Sequence, residues 1–169
     1  VGSEMCIRDR GAVYEQYFQE IDKVKGQKGV LSVEKKLFVE TNNGTNRQIR
    51  PVTPEQPLRI GDKVIVRLTI RTDREMNYVF LKDLRAGCFE PADQLSSPES
   101  RDGIWYYRSP KDVSENFFIN RLPEGTFVLE YPVYVSRSGE YAGGISTIQC
   151  MYAPEFVSHT AGESLRIMP

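Results

Sequence analysis

"GDKVIVRLTI", residues 61–70, decides the fold reading. Val64, Val66, Leu68 and Ile70 fall on one parity, while Lys63, Arg67 and Thr69 fall on the other, the two-residue period of a strand with one face on a core. Working outward, "LSVEKKLFVE" (31–40) repeats the pattern with Leu31, Val33, Leu37 and Val39 on one parity. Glycine and proline punctuate the chain roughly every ten residues, at "KGQKG", "TNNGTN", "PEQP", "EPAD", "SSPES", "LPEG" and "SRSG". Between them lie "GAVYEQYF" (11–18), "NYVFLKDL" (77–84), "ENFFINRL" (115–122), "TFVLEYPVYV" (126–135) and "GISTIQCMY" (144–152). About seven strands at this spacing predict an all-β fold, an immunoglobulin-like antiparallel β-sandwich. Pro132 cannot donate to a ladder, so its strand is expected at an edge or a bulge. "QEIDKVKGQ" (19–27) allows a short helical turn, but no stretch sustains a 3.6-residue apolar period.

The chain has 169 residues, 40% hydrophobic and 11% aromatic, enough to bury a core. A formal net charge of -1 supplies no basic footprint for nucleic acid, and no apolar run reaches the length that inserts into a membrane. The first ten residues, "VGSEMCIRDR", resemble the translation of a sequencing-adapter fragment, so residues 1–10 are expected to be a non-structural artefact and 11–169 a single sandwich domain. Cys6 then leaves the count. Cys88 and Cys150 remain, compatible with one disulfide in an exported protein or with two buried thiols.

Catalysis is hard to assemble from this inventory. His159, the single histidine, lies in polar "SHTAGES" (158–164), without the partners of a triad or metal site at a telling spacing. Asp73 with Glu75, and Glu90 with Asp93, sit in turn-like segments and read as solvated carboxylates. Gly143 and Gly144 read as a bulge or a close backbone approach within a strand. No catalytic residue, metal site or cofactor is expected. Trp105, Tyr106 and Tyr107 allow two readings: a sugar-stacking platform of a cell-surface carbohydrate-binding or adhesion module, or alternate members in the core with the others packed under a loop. "AGCFEP" (86–91) puts Gly87, Cys88 and Glu90 where a Gly-Cys-x-Glu-Gln thioester motif has them, but Pro91 stands where the glutamine carbonyl is required.

Taken in order, "GDKVIVRLTI", "LKDLRAGCFEP", "LPEGTFVLEYPVYV" and "MYAPEF", with the closing "SHTAGESLRI", resemble the C-terminal macroglobulin-like (MG10) domain of bacterial α2-macroglobulins in the form carried by Bacteroides-like bacteria. The likeness runs from about Gly11 to the end. It implies a non-catalytic macroglobulin-like sandwich within a large, exported, periplasmic or cell-surface protease inhibitor. The implied partners are a thioester-type domain and other macroglobulin domains of the same chain, with target proteases for the whole protein. In such proteins the segment Glu-Met-Tyr-x-Pro near the terminus helps cover the thioester, which implies interdomain contact by Met151, Tyr152 and Pro154. Gln149 and Cys150 replace the acidic residues usual before that methionine. If Ile148 faces inward, strand parity puts Cys150 and Tyr152 inward with it and Met151 outward toward a neighbour, the alternative being that Met151 covers its own sandwich.

Overall fold

The computed structural model describes residues 29–43 and 46–169. The candidate strand at 11–18 and the helical turn at 19–27 lie outside the described residues, as do residues 1–10 and Cys6. The described chain forms fourteen strands: β1 (Leu31–Asn43), β2 (Asn46–Pro51), β3 (Leu58–Arg59), β4 (Lys63–Thr72), β5 (Met76–Leu84), β6 (Phe89–Pro91), β7 (Ser97–Arg101), β8 (Ile104–Pro110), β9 (Ser114–Leu122), β10 (Gly125–Val135), β11 (Gly139–Ala142), β12 (Ser146–Cys150), β13 (Ala153–His159) and β14 (Ser164–Met168). Six of the long stretches read from sequence are there as β1, β4, β5, β9, β10 and β12. The remainder are mostly short strands that extend or cap the two sheets.

One sheet has the order β2-β1-β4-β10-β6 and the other β13-β12-β5-β9-β8-β7, with antiparallel neighbours throughout both. A small sheet, β11-β14-β3, contains the one parallel pairing among the described residues, β14 with β3. The alternation of β4 is realised, with Val64, Val66, Leu68 and Ile70 buried and facing Leu129, Tyr131 and Val133 of β10 and Val79, Leu81, Phe117 and Ile119 of the other sheet in one core. Asp102 and Gly103, with φ of 52° and 83°, make the two-residue turn joining β7 to β8, the Asp-Gly chemistry that matches strand twist.

Pro132 lies opposite Ile65 of β4, and its carbonyl accepts from Ala92 N–H on the other side. In an antiparallel strand a residue's N–H and C=O point the same way, so the missing donor faces the end of β6. Since β6 pairs only with Val133–Val135, β10 is an edge strand up to Pro132. Gly144, at φ +75°, makes the close approach its sequence suggests: a Cβ there would sit 2.7 Å from the Leu84 carbonyl carbon. The approach falls between β11 and β12 rather than within a strand.

Candidate functional site

Charged groups occur at inward positions that simple apolar alternation would not assign to them. Lys35 sits between Val33 and Leu37 on the core-facing parity of β1, and its Nζ lies 2.7 Å from Asp83 Oδ1 on β5. The same ammonium donates to the carbonyls of Leu84 at 2.9 Å and Gly143 at 3.3 Å. Asp83 is fully buried and also accepts from Ser146 Oγ at 2.7 Å and from the Tyr131 hydroxyl. Burial, and then the Asp83 charge, push the Tyr131 phenol well above its ordinary value. Deeper along the sandwich, Glu115 takes Arg85 Nη1 at 2.9 Å and Arg108 Nε at 2.5 Å. Desolvation works against the Arg108 charge, but Glu115 together with Glu99 and Asp93 outweighs it and holds the guanidinium pKa raised. Lys35 and Tyr131 come from one sheet and Asp83 from the other, so their two bonds to Asp83 pin the layers in register, while the Glu115 pairs with Arg85 and Arg108 stay within the six-stranded layer. The signal was present in the sequence as polar residues on the inward parity of otherwise apolar strands.

The two outer faces differ in chemistry. On the five-stranded sheet Glu40 pairs with Lys63 at 3.1 Å and Arg47 at 2.9 Å, and Glu130 with Arg67 at 2.6 Å and Arg101 at 2.9 Å. Partial burial pushes both carboxyls upward, yet the neighbouring cations win and hold them below the ordinary carboxylate value. On the six-stranded sheet, Tyr107, Phe118, Phe80 and Gln149 stand opposite one another across β8, β9, β5 and β12 as a single row. Phe80 and Phe118 stack with ring centroids 4.9 Å apart. Around this row Trp105 is 71% exposed, Tyr107 46%, Tyr78 50%, Met151 58% and Tyr152 80%. Contiguous exposure of large apolar side chains on one face marks a surface for another macromolecule.

Tyr106 is buried, with its hydroxyl on Glu99 at 3.0 Å, and burial, then Glu99, push its phenol up to about 12. Trp105 and Tyr107 stand in the open on the shared outer face, not under a loop. Strand β12 ends at Cys150, so alternation stops there. Ile148 and Cys150 are buried and Met151 is exposed as parity expects, but Tyr152 is exposed rather than inward because Met151 and Tyr152 form the turn into β13. Pro154 is exposed at the start of β13. Met151, Tyr152 and Pro154 therefore lie together at one end of the six-stranded sheet, with Tyr78 beside them: its ring meets that of Tyr152 edge-on at 5.0 Å.

The Cys88–Cys150 bridge is not formed, and both thiols are free and buried. Cys150 pairs with Val79 near the start of β5, its Sγ against Asn77 O, whereas Cys88 follows the end of β5 and its carbonyl takes Ser136 N–H at the far end of β10. Val79 to Leu84 alone spans roughly 16 Å of strand, beyond the reach of a disulfide. Burial pushes the Cys88 thiol up to about 11. His159 lies on β13 instead of in a solvated loop, half-buried, with Nδ1 3.1 Å from Thr160 O. Asp73 pairs with Arg74 and Glu75 with Arg121 at the surface, and Asp93 lies 3.6 Å from Arg108. Phe80, Phe118 and Tyr78 were not singled out from sequence, although the adjacent Phe117 and Phe118 on one strand require that one ring face outward.

Fold and site define a two-layer β-sandwich domain with a charged outer face and an aromatic one, the latter ending in an exposed Met-Tyr turn. The family model "Bacterial Alpha-2-macroglobulin MG10 domain" matches residues 31–155, and the chain belongs to that family. Among solved structures it is similar to Salmonella alpha-2-macroglobulin reacted with methylamine (21% identity, TM-score 0.66, covering 86% of this chain and 10% of that one). It is likewise similar to native Escherichia coli alpha-2-macroglobulin from domain MG7 to the C-terminus (17% identity, TM-score 0.65, 85% and 24%). These likenesses show the macroglobulin fold. Among curated proteins a 109-residue stretch is 28% identical to Circularly permutated Ras protein 2 of Dictyostelium discoideum, 64% of this chain and 3% of that protein. The chain thus spans a small part of the proteins it matches.

Proposed function

We propose that this chain is a non-catalytic docking domain of an exported α2-macroglobulin-like protease inhibitor. Through its aromatic outer face and the Met151–Tyr152 turn, it packs on a thioester-type domain of the same protein. The observation that carries this reading is the contrast between the two outer faces: one neutralised by ion pairs in water, the other presenting Trp105, Tyr107, Tyr78, Met151 and Tyr152 with no cover among the described residues. Apolar side chains over a reactive acyl bond exclude the water that hydrolyses it. Methionine suits such a cover because its unbranched thioether adapts to the opposing surface. Separation of the domains after proteolytic cleavage would restore access. The carbohydrate-module reading is not favoured, because the chain belongs to a macroglobulin domain family.

The test is the rate at which methylamine consumes the thioester of the full-length protein, followed by thiol release. Met151→Ser and Tyr152→Ser should each raise it by about tenfold, the loss of one contact worth about 1.4 kcal/mol. Unchanged rates in both variants would remove this turn from the mechanism.

A further inference from the structure

Tyr78 occupies a backbone conformation that its side chain disfavours. Its φ is 56°, in the left-handed region, where a bulky aromatic residue is an outlier needing a reason. Tyr78 and Asp102 are the non-glycine residues with positive φ among those described, and Asp102 is explained by its tight turn. Tyr78 lies inside β5.

The local consequence is a break in alternation. Met76 and Val79, three residues apart, are both buried, and Asn77 and Tyr78 between them are both exposed, where a regular strand would bury one. The ladder from β5 to β9 runs through Asn77–Arg121 and Val79–Ile119 and skips Tyr78. Two groups freed by this kink reach the same place. The Tyr78 carbonyl accepts Met151 N–H at 2.8 Å, and the Asn77 carbonyl accepts Cys150 Sγ at 3.4 Å. The Tyr78 ring then braces Tyr152, interplanar angle 77°. Backbone and side chain of one strained residue thus hold both members of the Met151–Tyr152 turn.

We infer that Tyr78 is a positioning residue of the docking surface: its left-handed backbone exists to aim the Met151–Tyr152 turn at the partner domain, at the expense of the stability of its own strand. The inference rests on the docking reading and adds a residue that acts through others. A residue kept for fold stability would sit in a favoured conformation, whereas this one departs from it at the edge of an exposed apolar face.

Two measurements on Tyr78→Asn test it, since asparagine tolerates the left-handed region but carries no ring. In urea, the 169-residue chain bearing Tyr78→Asn should unfold at a midpoint equal to or above that of the parent. In the full-length protein the same substitution should speed methylamine consumption of the thioester by about fivefold or more. Tyr78→Phe, which keeps the ring, should restore the parent rate. A lower urea midpoint together with the faster reaction would make Tyr78 an ordinary structural residue and overturn the inference. An unchanged reaction rate in Tyr78→Asn, while Met151→Ser remains fast, would overturn the positioning role and leave the docking reading standing. Unchanged rates in both variants would overturn the two together.

Discussion

Lys35 and Asp83 form a buried ion pair across the sandwich, Nζ to Oδ1 at 2.7 Å, with side-chain exposures of 9% and 0%. Removing one partner leaves a desolvated charge, which costs about 3–5 kcal/mol, whereas replacing both with apolar groups does not. Lys35→Met and Asp83→Leu should each lower urea stability by about that amount, the second somewhat more because Tyr131 and Ser146 lose their acceptor as well. The double variant should recover part of the loss. Fully additive losses would show that the two side chains are not coupled in the folded chain.

The outer ion pairs set an acid limit. Glu130 and Glu40 are held below the ordinary carboxylate value of 4.5 by Arg67 and Arg101 and by Lys63 and Arg47, against the upward push of burial. A carboxyl whose folded value is depressed adds stability that is complete above its unfolded value and is lost as pH falls through the folded one. Urea stability should therefore decline from about pH 5 downward. Glu130→Gln should flatten that decline, and a decline of equal slope in the variant would contradict the assignment.

Cys88 is fully buried and its thiol is pushed up to about 11. The thiolate is the reactive form, so iodoacetamide at pH 8 should leave Cys88 unmodified in the folded chain and label it in urea, read by peptide mass spectrometry. Rapid native labelling would place Cys88 at the surface.

Gly144 and Gly103 separate steric exclusion from backbone preference. Both have positive φ, but a Cβ on Gly144 meets the Leu84 carbonyl, while one on Gly103 meets nothing within 4 Å. Gly103→Ala should cost about 1–2 kcal/mol from conformation alone. Gly144→Ala should cost clearly more, since the backbone of β5 must shift and carry the Asp83 network with it. Equal losses would mean that the approach of Gly144 to Leu84 is relaxed in solution.

The sandwich was legible because Val64, Val66, Leu68 and Ile70 alternate over a whole strand, and a period of two survives any tertiary context that buries one face. The short strands β3, β6 and β11 were not, because two to four residues carry no measurable period. The β7–β8 hairpin was not read from sequence, although Asp102–Gly103 forms its turn, because the polar residues of β7 show no apolar alternation. Tyr152 illustrates where alternation fails: parity extrapolated past Cys150 assigns it inward, but the chain turns at Met151 and the rule ends with the strand. Tyr78 could not be read at all, since nothing in Met-Asn-Tyr-Val shows a positive φ. The Lys35–Asp83 pair lay in view as charges on core parity, yet which cation meets which carboxylate depends on how the sheets face each other.

The central claim, that the aromatic face and the Met151–Tyr152 turn are covered by another domain, is tested most directly by hydroxyl-radical footprinting of side chains in the 169-residue chain and in the full-length protein. Tyr134, 45% exposed on the ion-paired outer face, serves as the reference. The docking account predicts that oxidation of Met151, Tyr152 and Trp105 falls severalfold in the full-length protein while Tyr134 is modified at the same rate in both. Equal oxidation of Met151 and Tyr152 in the two proteins would contradict it.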